Sequence, residues 1–136
     1  DIRFDSPREI AYARKKEKNM YTFYEYPKCS TCRKAKAELN QLGLDVESIN
    51  IKENPPSAQF LKELLEGSDL ELKKFFNTSG QSYRSLGLKD KLPTLSLDEA
   101  VELLASDGML IKRPILIKDG KVLQVGYRTP YQDLNL

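Results

Sequence analysis

The chain has 136 residues, with 40% apolar and 31% charged side chains and a formal net charge of +2, the composition of one ordinary globular domain. No stretch approaches the ~18 uninterrupted apolar residues of a membrane span. Asp1-Ile2-Arg3-Phe4-Asp5 lacks the basic start and apolar run of a secretory signal, so a cytoplasmic protein is expected. Histidine is absent and cysteine occurs only twice, which excludes Ser-His and Cys-His catalysis, an all-protein zinc site and a disulfide-stapled scaffold.

Residues 1–19 hold six basic side chains against four acidic ones and so carry the whole net charge. They have no sustained period beyond a short helical pattern at Pro7–Lys16, and they read as an extension preceding a single domain at 20–136. The cluster Arg14-Lys15-Lys16-Glu17-Lys18 reads as a solvated end or a basic arm. The remaining body is neutral, which argues against direct nucleic-acid binding.

Tyr21–Glu25 is rich in aromatic and β-branched side chains and predicts a first strand. Tyr26-Pro27-Lys28 breaks it. A helix follows from about Ser30 to Leu42, with Ala35, Leu39 and Leu42 on one face and Gly43 ending it. Val46–Ile51 predicts a second strand. Asn54-Pro55-Pro56 interrupts the chain, and Ser57 is a suitable N-cap for a helix carrying Phe60, Leu61, Leu64 and Leu65. A largely helical stretch from Asp69 to about Ser106 includes the capping box Ser96-Leu97-Asp98-Glu99. Ile115–Ile117 and Val122–Val125 predict two strands around Lys118-Asp119-Gly120-Lys121, a hairpin turn with Asp-Gly at its centre. Pro130–Leu136 is expected to begin a last helix. This order gives an α/β fold: a mixed four-stranded sheet flanked by helices, on a thioredoxin-like plan, with an all-helical insertion before the C-terminal β-hairpin.

The chemistry is expected at Cys29-Ser30-Thr31-Cys32. The reactive species in thiol exchange is the thiolate, and an unperturbed cysteine with pKa about 8.5 offers little of it at neutral pH. At Cys29 the first turn of a helix supplies unpaired N–H groups and the positive end of the helix dipole. Lys28 and Arg33 add positive charge nearby. Cys32, one helical turn on, is placed to resolve a mixed disulfide at Cys29, although its position also suits a small core residue. Arg113-Pro114 precedes the third strand, where this plan brings the chain opposite the CxxC loop. A cis Arg113–Pro114 bond is expected, with the guanidinium facing Cys29 to stabilise a thiolate or clamp an oxyanion; the alternative is an arginine on a solvated loop. Lys28, Ser30, Thr31 and Pro114 are the candidate substrate-binding residues, and no metal or cofactor is expected beyond an external thiol donor.

Tyr24–Ala35 around the two cysteines, Tyr83-Arg84-Ser85-Leu86-Gly87-Leu88, Lys112-Arg113-Pro114-Ile115 and Leu123-Gln124-Val125-Gly126-Tyr127 together resemble the arsenate reductase (ArsC)/Spx family over roughly residues 20–131. The resemblance implies a nucleophile at Cys29, an oxyanion-binding arginine at Arg113, and a donor of thioredoxin, glutaredoxin or glutathione type. Two further family arginines do not match: Asn77 stands at one position, and at the other, near Val125-Gly126, only Arg128 is close. The CxxC and the Leu-Gln-Val-Gly-Tyr segment look closer to the Spx branch, which implies a redox-sensing regulator that binds RNA polymerase. The sequence given ends about ten residues after Gly126, without the longer basic tail of those regulators, so an oxidoreductase is expected ahead of a regulator.

Overall fold

The computed structural model describes residues 20–136; the Pro7–Lys16 pattern and the extension reading lie outside the described residues. Strand β1, Tyr21–Glu25, matches its expected bounds. It pairs in parallel with β2, Val46–Asn50, and antiparallel with β3, Ile115–Lys118. β3 in turn pairs antiparallel with β4, Lys121–Val125. The strand order β2-β1-β3-β4 is the mixed four-stranded sheet expected.

Each strand's alternation divides the core between two faces. Tyr21 and Phe23 point to one side with Leu116, while Tyr24, Ile115 and Ile117 point to the other. Central β3 is therefore apolar over its first three residues, Ile115-Leu116-Ile117, as a strand segment covered on both faces must be, and only its end residue Lys118 is charged. The β3–β4 turn has Asp119 at φ 51 and Gly120 at φ 79, the positive dihedrals that make Asp-Gly the preferred pair for a two-residue hairpin.

Helix α1, Ser30–Gln41, covers the first face. Its buried stripe is Cys32, Ala35 and Leu39. Leu42, expected to extend that stripe, is instead 37% exposed, because it is the C-cap residue where the chain turns away toward Gly43 at φ +69.

Helix α2, Ala58–Glu66, is capped as expected by Ser57, whose hydroxyl accepts from the Phe60 N–H at 3.1 Å. The insertion between α2 and the hairpin is helical but not continuous. A 3₁₀ turn at Leu72–Phe75 precedes α3, Gln81–Ser85, and α4, Leu88–Lys91, and then come a 3₁₀ turn at Leu92–Thr94 and α5, Leu97–Ser106. The breaks follow local chemistry: Gly80 and the left-handed Gly87 (φ +64) precede α3 and α4, and Pro93 lies in the second 3₁₀ turn. The capping box opens α5, with Ser96 accepting from Glu99 N–H at 3.1 Å and Glu99 accepting in return from Ser96 N–H at 2.9 Å.

The insertion contributes Phe75, Phe76, Tyr83, Val101, Leu104 and Ile111 to the larger half of the core, and α2 adds Leu61. Burying side chains of this kind stabilises by about 1.5–3 kcal/mol each. The expected last helix is only a single 3₁₀ turn, Tyr131–Asp133. It is held against α1 by Glu38, which accepts the N–H groups of Tyr131 and Gln132 as well as the Tyr127 hydroxyl, the last at 2.7 Å. No described helix is long and apolar enough to cross a membrane.

Candidate functional site at Cys29

Cys29 is the N-cap of α1. Its extended backbone turns the side chain back over the helix start, where its sulfur accepts from the Cys32 N–H at 3.4 Å. The preceding turn is closed by Cys29 N–H donating to the Tyr26 carbonyl at 2.9 Å. The sulfur is half-buried, whereas Cys32 is fully buried on the inner face of α1. The first cysteine is thus the more accessible and the second lies inside, one helical turn on, and the two thiols are free rather than joined.

Their acidities diverge accordingly. Burial raises the Cys29 pKa, but this is outweighed by the Cys32 N–H, the Cys32 thiol, the Arg113 charge and the Thr31 N–H, and the net direction is downward. Burial pushes Cys32 up to about 12, against a partial offset from the Tyr26 backbone, and the neighbouring Cys29 sulfur adds to the rise. The outer thiol is shifted toward the anion and the inner one away from it.

Arg113 supplies the positive charge acting on Cys29. Lys28 and Arg33, expected to share that role, are exposed and are not among the charges that lower it. The Arg113–Pro114 bond is cis, as expected. The guanidinium lies 5.3 Å from the centroid of the Tyr26 ring, a cation–π arrangement, and its Nη1 donates to the Met109 carbonyl at 3.4 Å. Its Nε is buried with no hydrogen-bond partner among the described residues, a donor facing the cost of an unmade bond.

Cys29 opens into a cleft of about 350 Å³ lined by Thr31, Asn77, Ser79, Lys112, Arg113, Tyr127 and Arg128. Of the candidate binding residues, Thr31 lines this cleft. Lys28 and Ser30 are exposed outside it, and Pro114 is buried behind it, its carbonyl accepting the Gly126 N–H at 2.7 Å. Sequence reasoning singled out Asn77 and Arg128 only as departures from a pattern; both line the cleft. Lys112 and Tyr127 it named only inside longer motif segments, with no role, and Ser79 it missed altogether. The one available signal was Lys112, adjacent to Arg113 and basic like it.

A larger groove of about 630 Å³ adjoins the cleft, bounded by residues 67–71 and by β4, and shares Lys112 and Arg128 with it. No cluster of three or more metal-ligating side chains occurs among the described residues.

A βαβ start, a CxxC at the first helix and a cis-proline loop opposite it define an α/β protein of thioredoxin-like fold. The chain belongs to the ArsC family, whose profile matches residues 24–131. It is similar to the crystal structure of a possible arsenate reductase from Streptococcus mutans UA159, with 70% identity, TM-score 0.82, and 85% of this chain and 97% of that one covered. It is also 60% identical over 107 residues to the uncharacterized protein YusI of Bacillus subtilis, covering 79% of this chain and 90% of YusI. A more distant relative is the global transcriptional regulator Spx of Lactiplantibacillus plantarum, 32% identical over 108 residues, with 79% of this chain and 80% of Spx covered.

Proposed function

We propose that this protein is a thiol–disulfide oxidoreductase in which Cys29 is the nucleophile and Cys32 the resolving thiol. The observation that carries this is the placement of two free thiols one helical turn apart, Cys29 at the mouth of a cleft with its sulfur accepting from the Cys32 N–H at 3.4 Å, and Cys32 fully buried behind it; the acidities are displaced in the matching directions, Cys29 down and Cys32 up. In the first step the Cys29 thiolate attacks one sulfur of a disulfide, forming a mixed disulfide and releasing the other half as thiolate. In the second the Cys32 thiol attacks the Cys29 sulfur as its proton passes to a released substrate thiolate, which breaks the mixed disulfide, frees the second half of the substrate and leaves a Cys29–Cys32 disulfide. Two electrons have then passed to substrate. An external dithiol or thiol pair of thioredoxin, glutaredoxin or glutathione type returns them. Arsenate is a further candidate substrate on the strength of family membership, with Arg113 as its ligand.

Turnover with a thioredoxin or glutaredoxin donor tests this. Disulfide reduction abolished by Cys29→Ser is the expected result; the absence of Cys29-dependent turnover with arsenate and with simple disulfides would overturn it.

The Spx relatives support a second reading, a redox-sensing regulator whose partner, RNA polymerase, is bound differently by the reduced and oxidised pair. Equal retention of polymerase by the two forms would dismiss it.

A further inference from the structure

The resemblance implies two further arginines, at Asn77 and near Val125-Gly126, that this chain lacks, yet the cleft is not left with a single cation. Gly126 has φ +76, and a Cβ built there would lie 3.2 Å from Lys112 Cε and 3.8 Å from Lys112 Cγ. The aliphatic stem of Lys112 thus runs over Gly126 and fills the space a side chain at that position would enter. Its backbone is anchored on the other side, N–H donating to the Phe75 carbonyl at 2.8 Å. Arg128, two residues beyond Gly126, lines the same cleft. Both also line the adjoining groove, so they stand where the cleft opens into it.

Neither Lys112 nor Arg128 is among the charges that lower Cys29; Arg113 alone is. The three cations therefore divide into one that acts on the attacking sulfur and two that face whatever enters.

We propose that Lys112 and Arg128 are specificity residues that make Cys29 selective for disulfides carrying a carboxylate or other anionic group beside the scissile sulfur. This rests on the thiol-exchange reading above and names its substrate class. Charges at the rim of a site act chiefly on encounter rates and do so in a salt-dependent way, over distances set by a Debye length of about 10 Å at 0.1 M salt.

The test is the second-order rate of Cys29 modification by three disulfides differing in charge: the dicarboxylate dithiobis-nitrobenzoate, neutral dithiodipyridine and cationic cystamine, each with wild type, Lys112→Met, Lys112→Arg and Arg128→Gln. Relative to the neutral probe, the dicarboxylate should lose about fivefold to tenfold in Lys112→Met and Arg128→Gln. It should recover in Lys112→Arg, and the wild-type preference should collapse in high salt. The thiol pKa of Cys29 should not move in Lys112→Met. Equal losses for all three probes, or no charge preference in the wild type, would overturn the proposal while leaving thiol exchange standing. Failure of every disulfide to modify Cys29 would overturn both.

Discussion

At the residue scale the site is a set of small, separable influences on one sulfur. Cys29 receives backbone N–H groups from the helix start and one guanidinium charge, and these together prevail over its partial burial. Arg113→Gln removes the charge but leaves the helix, so the Cys29 pKa should rise part of the way toward an ordinary thiol. Ultraviolet absorbance of the thiolate against pH reads this directly, and the rate of thiol alkylation should titrate with the same midpoint. Because the Cys29 pKa is lowered, the wild-type rate should persist below the pH at which an ordinary cysteine becomes unreactive. Cys32, pushed up to about 12, should contribute no alkylation at neutral pH. A variant whose titration coincides with that of wild type would show that Arg113 does not act on the sulfur.

At the element scale the C-terminal segment matters because it carries Tyr127 and Arg128 into the cleft. One side chain, Glu38 of α1, holds it, through the Tyr127 hydroxyl and the Tyr131 and Gln132 N–H groups. Tyr131 is fully buried between that segment and Phe23, Ala35 and Leu39, and its ring meets Tyr127 edge-on with centroids 4.9 Å apart. The carboxylate is partly desolvated, which raises its pKa, but the three hydrogen bonds prevail and hold it below the usual carboxylate value. Its stabilising contribution is thus complete above the unfolded carboxylate pKa, about 4.3, and is lost as pH falls through the lower folded value. Glu38→Gln should cost about 1–2 kcal/mol near neutral pH, modest because water reaches the carboxylate. The difference from wild type should shrink as the medium is acidified. Urea unfolding at a series of pH values measures this, and a pH-independent difference would contradict it.

What was legible in the sequence, and what was not, divides along the same line. β1, the Asp119-Gly120 turn, the Ser57 and Ser96 caps and the CxxC at a helix start are governed by neighbours a few residues away, and all were readable. Even the cis Arg113–Pro114 bond followed from a local residue pair set in a fold-level plan. The cleft was only half readable, because Thr31, Asn77, Lys112 and Arg128 meet through the sheet order and not through any period of the chain. Glu38 looked like an ordinary solvated helix residue, since its partners lie more than 85 positions away. The last helix failed for the same reason: Glu38 takes the N–H groups of a single turn, and nothing beyond Asp133 extends it.

At the scale of the whole molecule, function depends on docking the insertion against the sheet, since Asn77 and Ser79 come from the insertion and Cys29 from the βαβ unit. The two meet tightly at Gly108, where an added Cβ would fall 1.8 Å from the Ile51 carbonyl oxygen, on the turn that follows β2. Gly108→Ala must push these backbones apart. It should cost about 3 kcal/mol or more, the upper end for overpacking, and lower Tm accordingly. Met109, one residue on, has its N–H taken by the Asp107 carboxylate at 2.9 Å and its carbonyl by Arg113. The same variant should therefore also disturb Arg113 and slow the reaction of Cys29. An unaltered Tm would contradict the packing account.

The central claim is that the two cysteines form a reactive pair with divided roles, and titration of the thiols in wild type and in Cys32→Ser tests it most directly. The account predicts a Cys29 pKa below that of an ordinary thiol in both proteins, because the residue 32 N–H survives the substitution. It further predicts an intramolecular disulfide on mild oxidation of wild type, and a stable mixed disulfide at Cys29 in the variant. A Cys29 that titrates like a free cysteine and forms no disulfide with Cys32 would contradict it.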